Sequence, residues 1–181
     1  MSKTYKVQVA GLTRDLPLVE VAPGVTIALL NILGDVELVR ACANALAAKL
    51  ADVDYVALVT AESKSIPLVH VLAEEAGKAY AVLRKTKKTY MGDAISAETI
   101  SITTGKPQTL YLDEKDRALV SGHKVVLVDD VISTGSTQTA MRAVMDAAGA
   151  EVAAEAAIFT EGDPDEWAHI IALGHLPVFT D

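Results

Sequence analysis

What this chain has little of narrows its chemistry first. Of 181 residues one is a cysteine and one a tryptophan, and Phe, Trp and Tyr together make up 4%. A lone Cys42 closes no internal disulfide, which fits a reducing compartment. It falls on the helical stripe Val39, Cys42, Leu46, Leu50, where core packing rather than nucleophilic chemistry is its expected role. No apolar run is long enough to span a bilayer and no secretory leader is evident, so the cytoplasm is the default expectation. None of the four histidines, His70, His123, His169 and His175, has metal-ligand spacing. The Gly-x4-Gly-Lys-Ser/Thr of a Walker loop and the Gly-x-Gly-x-x-Gly of a dinucleotide fold are both missing. A net charge of −8 argues against nucleic-acid binding by the surface as a whole. There is no internal repeat, low-complexity tract or interdomain linker, and a chain of this size buries roughly 70% of its unfolded surface without staples.

What is present is an aliphatic α/β pattern, with 51% hydrophobic residues drawn mainly from Ala, Val, Leu and Ile. Tyr5, Val7 and Val9 alternate with polar residues as in a half-buried strand, and Leu16-Pro17 and Pro23-Gly24 punctuate the segment after it. Residues 36–50 form an Ala-rich helix around Cys42. Tyr55 to Thr60 is an apolar strand leading into the loop 61–66. Pro67 opens a helix with Leu68, Val71, Leu72 and Ala76 on its buried face, and Gly77 closes it. A strand over 79–83 runs directly into Arg84, Lys85, Lys87 and Lys88, a quarter of the 16 basic side chains. Such a cluster in an acidic protein suits a compact polyanion, or else is a solvated charge run. Residues 86–97 have weak periodicity and read as a mobile segment. Ile100 and Ile102, then Leu110 and Leu112, alternate with polar residues across Gly105-Lys106-Pro107 as an antiparallel hairpin. A helix with Met141, Val144, Met145 and Ala148 on one face and a strand over 152–159 complete a strand-helix alternation that implies a parallel sheet.

The most informative run is Val125-Val126-Leu127-Val128-Asp129-Asp130-Val131-Ile132-Ser133-Thr134-Gly135-Ser136-Thr137. Four consecutive apolar residues read as a strand buried on both faces. Two acids follow where it emerges, and a hydroxyl-rich turn opens the next helix. Backbone amides at such a turn, aided by the helix dipole, favour a phosphate. Asp129 and Asp130 are acceptors suited to sugar hydroxyls or a hydrated cation. A plain helix cap by Thr134 or Ser136 is the bland alternative, but a cap does not need paired acids. In open α/β sheets ligands gather beyond the carboxyl ends of strands. Three loops occupy such positions: 61–66 and 84–88 carry cations, whereas 129–137 carries acids and hydroxyls. A ribose phosphate with a diphosphate at its other end would match that division.

This run resembles the signature of the type I phosphoribosyltransferases, which bind 5-phosphoribosyl-1-diphosphate (PRPP), and over most of the chain the likeness is closest to the adenine phosphoribosyltransferases. Pro23-Gly24-Val25, Ala61-Glu62-Ser63-Lys64-Ser65, Arg84-Lys85-x-x-Lys88, the hairpin ending in Gly105, and Pro177-Val178-Phe179 fall in matching order. The resemblance implies a single domain over 1–181: a parallel twisted sheet flanked by helices (core about 36–160), a small hood from the N-terminal segment and C-terminal tail, and a flexible β-hairpin lid over 86–104. It implies that Ser133, Thr134, Gly135, Ser136 and Thr137 hold the 5′-phosphate and that Asp129 and Asp130 face the ribose, with Asp130 stabilising positive charge during catalysis. Ser63, Lys64, Ser65, Arg84, Lys85 and Lys88 would serve the diphosphate. Val25, Ile27 and Ile132 would meet the base. Mg2+ would be chelated by substrate rather than by protein, and the partners would be PRPP, a purine base and a second copy in a homodimer.

The departures fall on the base half and, at Lys64, on the diphosphate loop. Ile27-Ala28-Leu29 stands where adenine enzymes carry Phe-Arg-Asp, Glu62-Ser63-Lys64-Ser65 where they carry Glu-Ser-Arg-Gly, and Ile102-Thr103-Thr104-Gly105 where they carry Leu-Glu-Tyr-Gly. Lys for Arg loses a planar fork of donors. By the order of its motifs the expected activity is purine phosphoribosyl transfer of the adenine-like branch, with the choice of base open. A 6-oxopurine (xanthine or hypoxanthine) enzyme and a non-catalytic PRPP or nucleotide sensor stay open beside it.

Overall fold

A computed structural model describes residues 3–100 and 107–180. Alternation builds the first strands. β1 (Thr4–Val9) turns Val7 and Val9 inward, and a two-residue turn leads into β2 (Leu12–Ala22). Both turn residues have positive φ, 49° at Ala10 and 79° at Gly11, the geometry whose twist matches a hairpin. Pro17 does not end a strand, contrary to the sequence expectation. It lies inside β2 opposite Thr4, at a position past the end of the neighbouring β3 (Val25–Ala28), where only its carbonyl is used, by the Leu29 N–H at 2.9 Å.

α1 (Val36–Lys49) starts at Asp35, whose carboxylate accepts the Leu38 N–H at 3.0 Å. Arg14 clasps the same carboxylate at 2.7 and 3.0 Å, fastening β2 to this helix. Cys42 is fully buried on α1, and burial pushes its thiol up to about 12, so it is a packing residue. β4 (Ala57–Ala61), α2 (Ile66–Ala76) and β5 (Ala79–Leu83) follow. α2 buries Leu68, Val69, Leu72 and Ala73, whereas Val71 and Ala76 of the expected face are half-buried. β6 (Ile95–Ile100) pairs antiparallel with β7 (Pro107–Leu112), then α3 (Arg117–Val120) leads to β8 (Lys124–Ile132). α4 (Ser136–Ala148), β9 (Glu151–Glu161), β10 (Ile171–Leu176) and β11 (Val178–Thr180) complete the chain.

The central sheet has the order β10-β9-β8-β4-β5, parallel throughout, and is flanked by helices as the sequence pattern implied. Val126 and Val128 pack with α1 and α2 on one face, whereas Val125 and Leu127 pack with α4 and the β6–β7 hairpin on the other. Burial on both faces is why β8 reads as an unbroken apolar run. A second, antiparallel sheet of order β1-β2-β3-β11 is made from both ends of the chain. The hairpin begins earlier than its spacing indicated: Ile95 already faces Leu112, its pattern hidden by the small Ala97. The stretch before it is anchored, with Met91 fully buried and the Asp93 N–H donating to Glu114 Oε2 at 2.9 Å. Ile102, Thr103, Thr104 and Gly105 lie outside the described residues. Among the described residues, no helix is long and apolar enough to cross a membrane.

Candidate functional site

Because β4 pairs with β5 on one side and β8 on the other, the loops after these three strands converge at one edge of the sheet. They enclose a cavity of about 350 Å³ lined by Ser63, Lys64, Lys85, Asp129, Asp130 and Thr137 among others. Acid and cation therefore face each other across one space, as the division of residue types between loops anticipated.

At the end of β8 the polar groups are held by the fold. The Ser65 hydroxyl donates to Asp129 Oδ1 at 2.6 Å and accepts the Asp130 N–H at 3.0 Å. Its oxygen also lies 3.2 Å from Asp130 Oδ1, but one hydroxyl proton serves one carboxylate, and the shorter contact takes it. Asp129 Oδ1 accepts the Asp130 N–H at 2.9 Å, and Gln138 Nε2 donates to Asp129 Oδ2 at 3.3 Å. Burial, and then the adjacent charge of Asp130, push the Asp129 carboxyl up to about 7. Asp130 is 5% exposed. Its Oδ2 lies 3.1 Å from Lys64 Nζ but has no hydrogen bond of acceptable direction, so charge is compensated while a lone pair stays open.

The turn beyond the acids differs in kind. Ser133 and Thr134 are exposed, and Thr134 Oγ1 and Ser136 Oγ share a hydrogen bond of 3.1 Å. Gly135, at φ 70°, is the N-cap of the thirteen-residue α4, and no side chain caps the helix amides there. The bland capping role for Thr134 or Ser136 is thus not taken up. The Thr139 hydroxyl donates to the Gly135 carbonyl at 3.0 Å and stiffens the first turn.

On the cationic side Glu62 organises the loops. Its carboxylate accepts Arg84 Nε at 2.6 Å and the Lys85 N–H at 2.5 Å. Burial alone would raise this carboxyl, but those two donors outweigh it and hold it below the usual range. Arg84 is committed to Glu62, which raises its own affinity for a proton. The Glu62–Ser63 peptide is cis.

Not every residue singled out in the sequence meets in this cavity. Ser65 lines it only at its floor, 2% exposed and with its hydroxyl spent on the acids. Lys88 is exposed and does not line the cavity. Val25 and Ile27 are half-buried on β3 of the second sheet, while the Ile132 side chain is 1% exposed in a cluster with Ala157 and Ile170 and offers a ligand no surface. Gln138, buried one turn into α4 and bonded to Asp129, was missed; a buried amide that close to an anion-type turn was its signal.

Comparison with known proteins is consistent across sequence and fold. A family model described as a phosphoribosyl transferase domain matches residues 31–170. A hypoxanthine/guanine phosphoribosyltransferase of Methanocaldococcus vulcanius is 33% identical over 106 residues, covering 59% of this chain and 54% of that protein. Its counterpart in Methanothermococcus okinawensis is 30% identical over 118 residues, covering 65% and 61%. The chain thus spans little more than half the length of the curated relatives it matches. Among solved structures, the adenine phosphoribosyltransferase of Thermoanaerobacter pseudethanolicus superposes with a TM-score of 0.69 at 19% identity, covering 96% of this chain and 95% of that one. The adenine enzyme of Saccharomyces cerevisiae, solved with an imino-altritol bisphosphate and adenine, superposes with a TM-score of 0.64 at 18% identity, covering 95% and 92%. Those structural likenesses concern the fold.

Proposed function

We propose, since this chain belongs to the phosphoribosyl transferase domain family, that it is a purine phosphoribosyltransferase. In that reaction a ring nitrogen of a purine attacks C1′ of PRPP, the C1′–O bond to diphosphate breaks, and a nucleoside 5′-monophosphate and diphosphate leave. The observation that carries the reading is the open, buried acceptor on Asp130 beside Asp129, facing Lys64 from the loop after β4 and Lys85 from the loop after β5 across one cavity. A hydroxylated sugar supplies the missing donors, and a diphosphate supplies negative charge where the lysines stand.

In this reading the α4 amides and the hydroxyls of Ser133, Thr134, Ser136 and Thr137 hold the 5′-phosphate at the uncapped helix start. Asp129 and Asp130 accept from the ribose hydroxyls, and the charge on Asp130 favours the positive sugar ring that develops as the bond breaks. Lys64 has a second role. Its ammonium neutralises Asp130 in the ligand-free chain and transfers to the leaving diphosphate when the sugar replaces it, with Lys85 on the same cavity and Arg84 acting from its pairing with Glu62. Ser63 lies along the same loop. Of the three carboxylates lining the cavity, Glu62 is spent on Arg84 and the Lys85 N–H, which leaves Asp129 and Asp130, enough to take water molecules of a hydrated cation and too few to encage it; this fits Mg2+ carried mainly by substrate oxygens. When bound, Mg2+ would neutralise charge on the diphosphate. Val25 and Ile27 place the base against the second sheet, read as a hood on a single domain, and no side-chain contact is assigned to Ile132.

For the base, the resemblance of motif order supports the adenine-like branch, whereas the relatives at 30% identity and above bear names for hypoxanthine and guanine. The test is turnover with PRPP and Mg2+ against adenine, hypoxanthine, guanine and xanthine, following diphosphate and nucleotide. Release of diphosphate with one of them is the expected result. Tight PRPP binding without turnover on the whole panel would overturn the enzyme reading in favour of a sensor.

A further inference from the structure

The roles assigned so far leave out the chain's only tryptophan. Trp167 ends the short helical turn Pro164–Trp167 that comes after β9, and that turn starts at Asp163, whose carboxylate accepts the Asp165 N–H at 3.0 Å. The indole Nε1–H donates to the Glu161 carbonyl at 2.8 Å, which folds the β9–β10 connection back on the end of its own strand. The ring then lies over Gly135: a Cβ built on that glycine would come within 3.0 Å of Trp167 Cη2 and 3.4 Å of Cζ3. The same side chain packs on the small cluster of Ile132, Ala157 and Ile170.

Ile132 and Gly135 are the two ends of the turn whose middle, Ser133 and Thr134, is exposed. Exposed hydroxyl residues contribute almost no packing, so they do not hold the turn in shape themselves. Gly135 is fixed in the left-handed region at φ 70°, and free rotation there would swing the first amides of α4 away from a common focus. We infer that Trp167 is a positioning residue for the ligand's phosphate. It braces the 132–135 turn from outside, without touching ligand, so that the α4 amides stay aimed at one point. The inference rests on the phosphoribosyl reading for the identity of that ligand. It also gives a second reason for glycine at 135: the position needs positive φ, and the space where a side chain would stand is filled by the indole.

The test compares two fragments of PRPP on one protein. Calorimetric affinities for ribose 5-phosphate and for inorganic diphosphate are measured on the full chain and on Trp167→Ala, with Trp167→Leu taken instead if circular dichroism shows the alanine variant unfolded. A brace predicts that ribose 5-phosphate affinity falls at least about fivefold more than diphosphate affinity, because a small misplacement of binding groups is costly only where those groups are used. Trp167→Phe, which keeps a ring over Gly135, should recover most of the loss. A ratio of the two losses below about fivefold would overturn the brace, since general loosening of the fold weakens both fragments alike. Wild-type protein that binds neither PRPP nor ribose 5-phosphate would instead sink the phosphoribosyl reading, and the brace with it.

Discussion

The end of β8 and the end of β5 both face the same cavity, yet they are built on opposite terms. At β8 a serine hydroxyl, a backbone amide and a glutamine amide all donate to Asp129, and its neighbour Asp130 is 5% exposed with one oxygen open. At β5 four basic residues fall within positions 84–88, all of them substantially solvated, and Arg84 alone among them is tied by its side chain, to Glu62 and Tyr90, among the described residues. The first arrangement is ordered before any ligand arrives, so binding there costs little conformational entropy and depends on shape. The second leaves long lysine side chains free, and each gives up rotamer freedom when it closes on an anion. One half is therefore suited to selecting a sugar, the other to supplying charge.

The largest expected effect comes from breaking the ordered half. Asp130→Asn removes a charged acceptor and the partner of Lys64. Hydrogen bonds to charged groups contribute about 1.5–3 kcal/mol, so PRPP and ribose 5-phosphate affinity should each fall roughly 10- to 150-fold. Diphosphate affinity should hold or rise, because the variant frees Lys64 for the anion, and the melting temperature should change only slightly, both read by calorimetry. Equal losses for sugar phosphate and diphosphate would mean that the two halves are not separable. A smaller effect is expected on the solvated half. Lys85→Ala should weaken diphosphate binding about fivefold at low ionic strength and hardly at all near 0.5 M salt, because exposed charges are screened within roughly a Debye length. A salt-insensitive loss would show Lys85 to be as preorganised as the acids, and the contrast would then fail.

The same contrast explains what was legible in the sequence. The run 125–137 announces itself because burial on both faces of β8 leaves no polar position until the strand emerges, and the acids and turn then follow without interruption. The basic cluster after β5 was equally plain as composition. The links between distant segments were not legible. Ser65 stands 64 positions from Asp129, and Trp167 stands 32 from Gly135, so neither local spacing nor propensity reports the contact. The buried face of α2, the early start of β6 and the unbroken strand through Pro17 have the same origin. Each is decided by which neighbour packs against it. Residue types at strand ends were thus readable, and their mutual orientation was not.

The smallest effect tests whether preorganisation at β8 is maintained at a cost in stability. Burial and Asp130 hold the Asp129 carboxyl at about 7, above its ordinary 3.8. Below about pH 4 the group is protonated in folded and unfolded chains alike and contributes nothing. Between pH 4 and 7 the unfolded chain ionises first, so stability falls as pH rises, and above 7 the full penalty is present. Asp129→Asn, neutral throughout, should match the parent's melting temperature near pH 4 and exceed it by about 2–6 °C at pH 8. Nothing comparable is expected from neutralising Lys85, whose charge is already solvated. The same variant should bind ribose 5-phosphate more weakly at pH 8, since it loses the charged acceptor. A variant no more stable than the parent at pH 8 would show that Ser65 and Gln138 already offset the burial of Asp129. The ordered half would then be as inexpensive to maintain as the solvated one, and the difference between the two strand ends would lie in geometry alone.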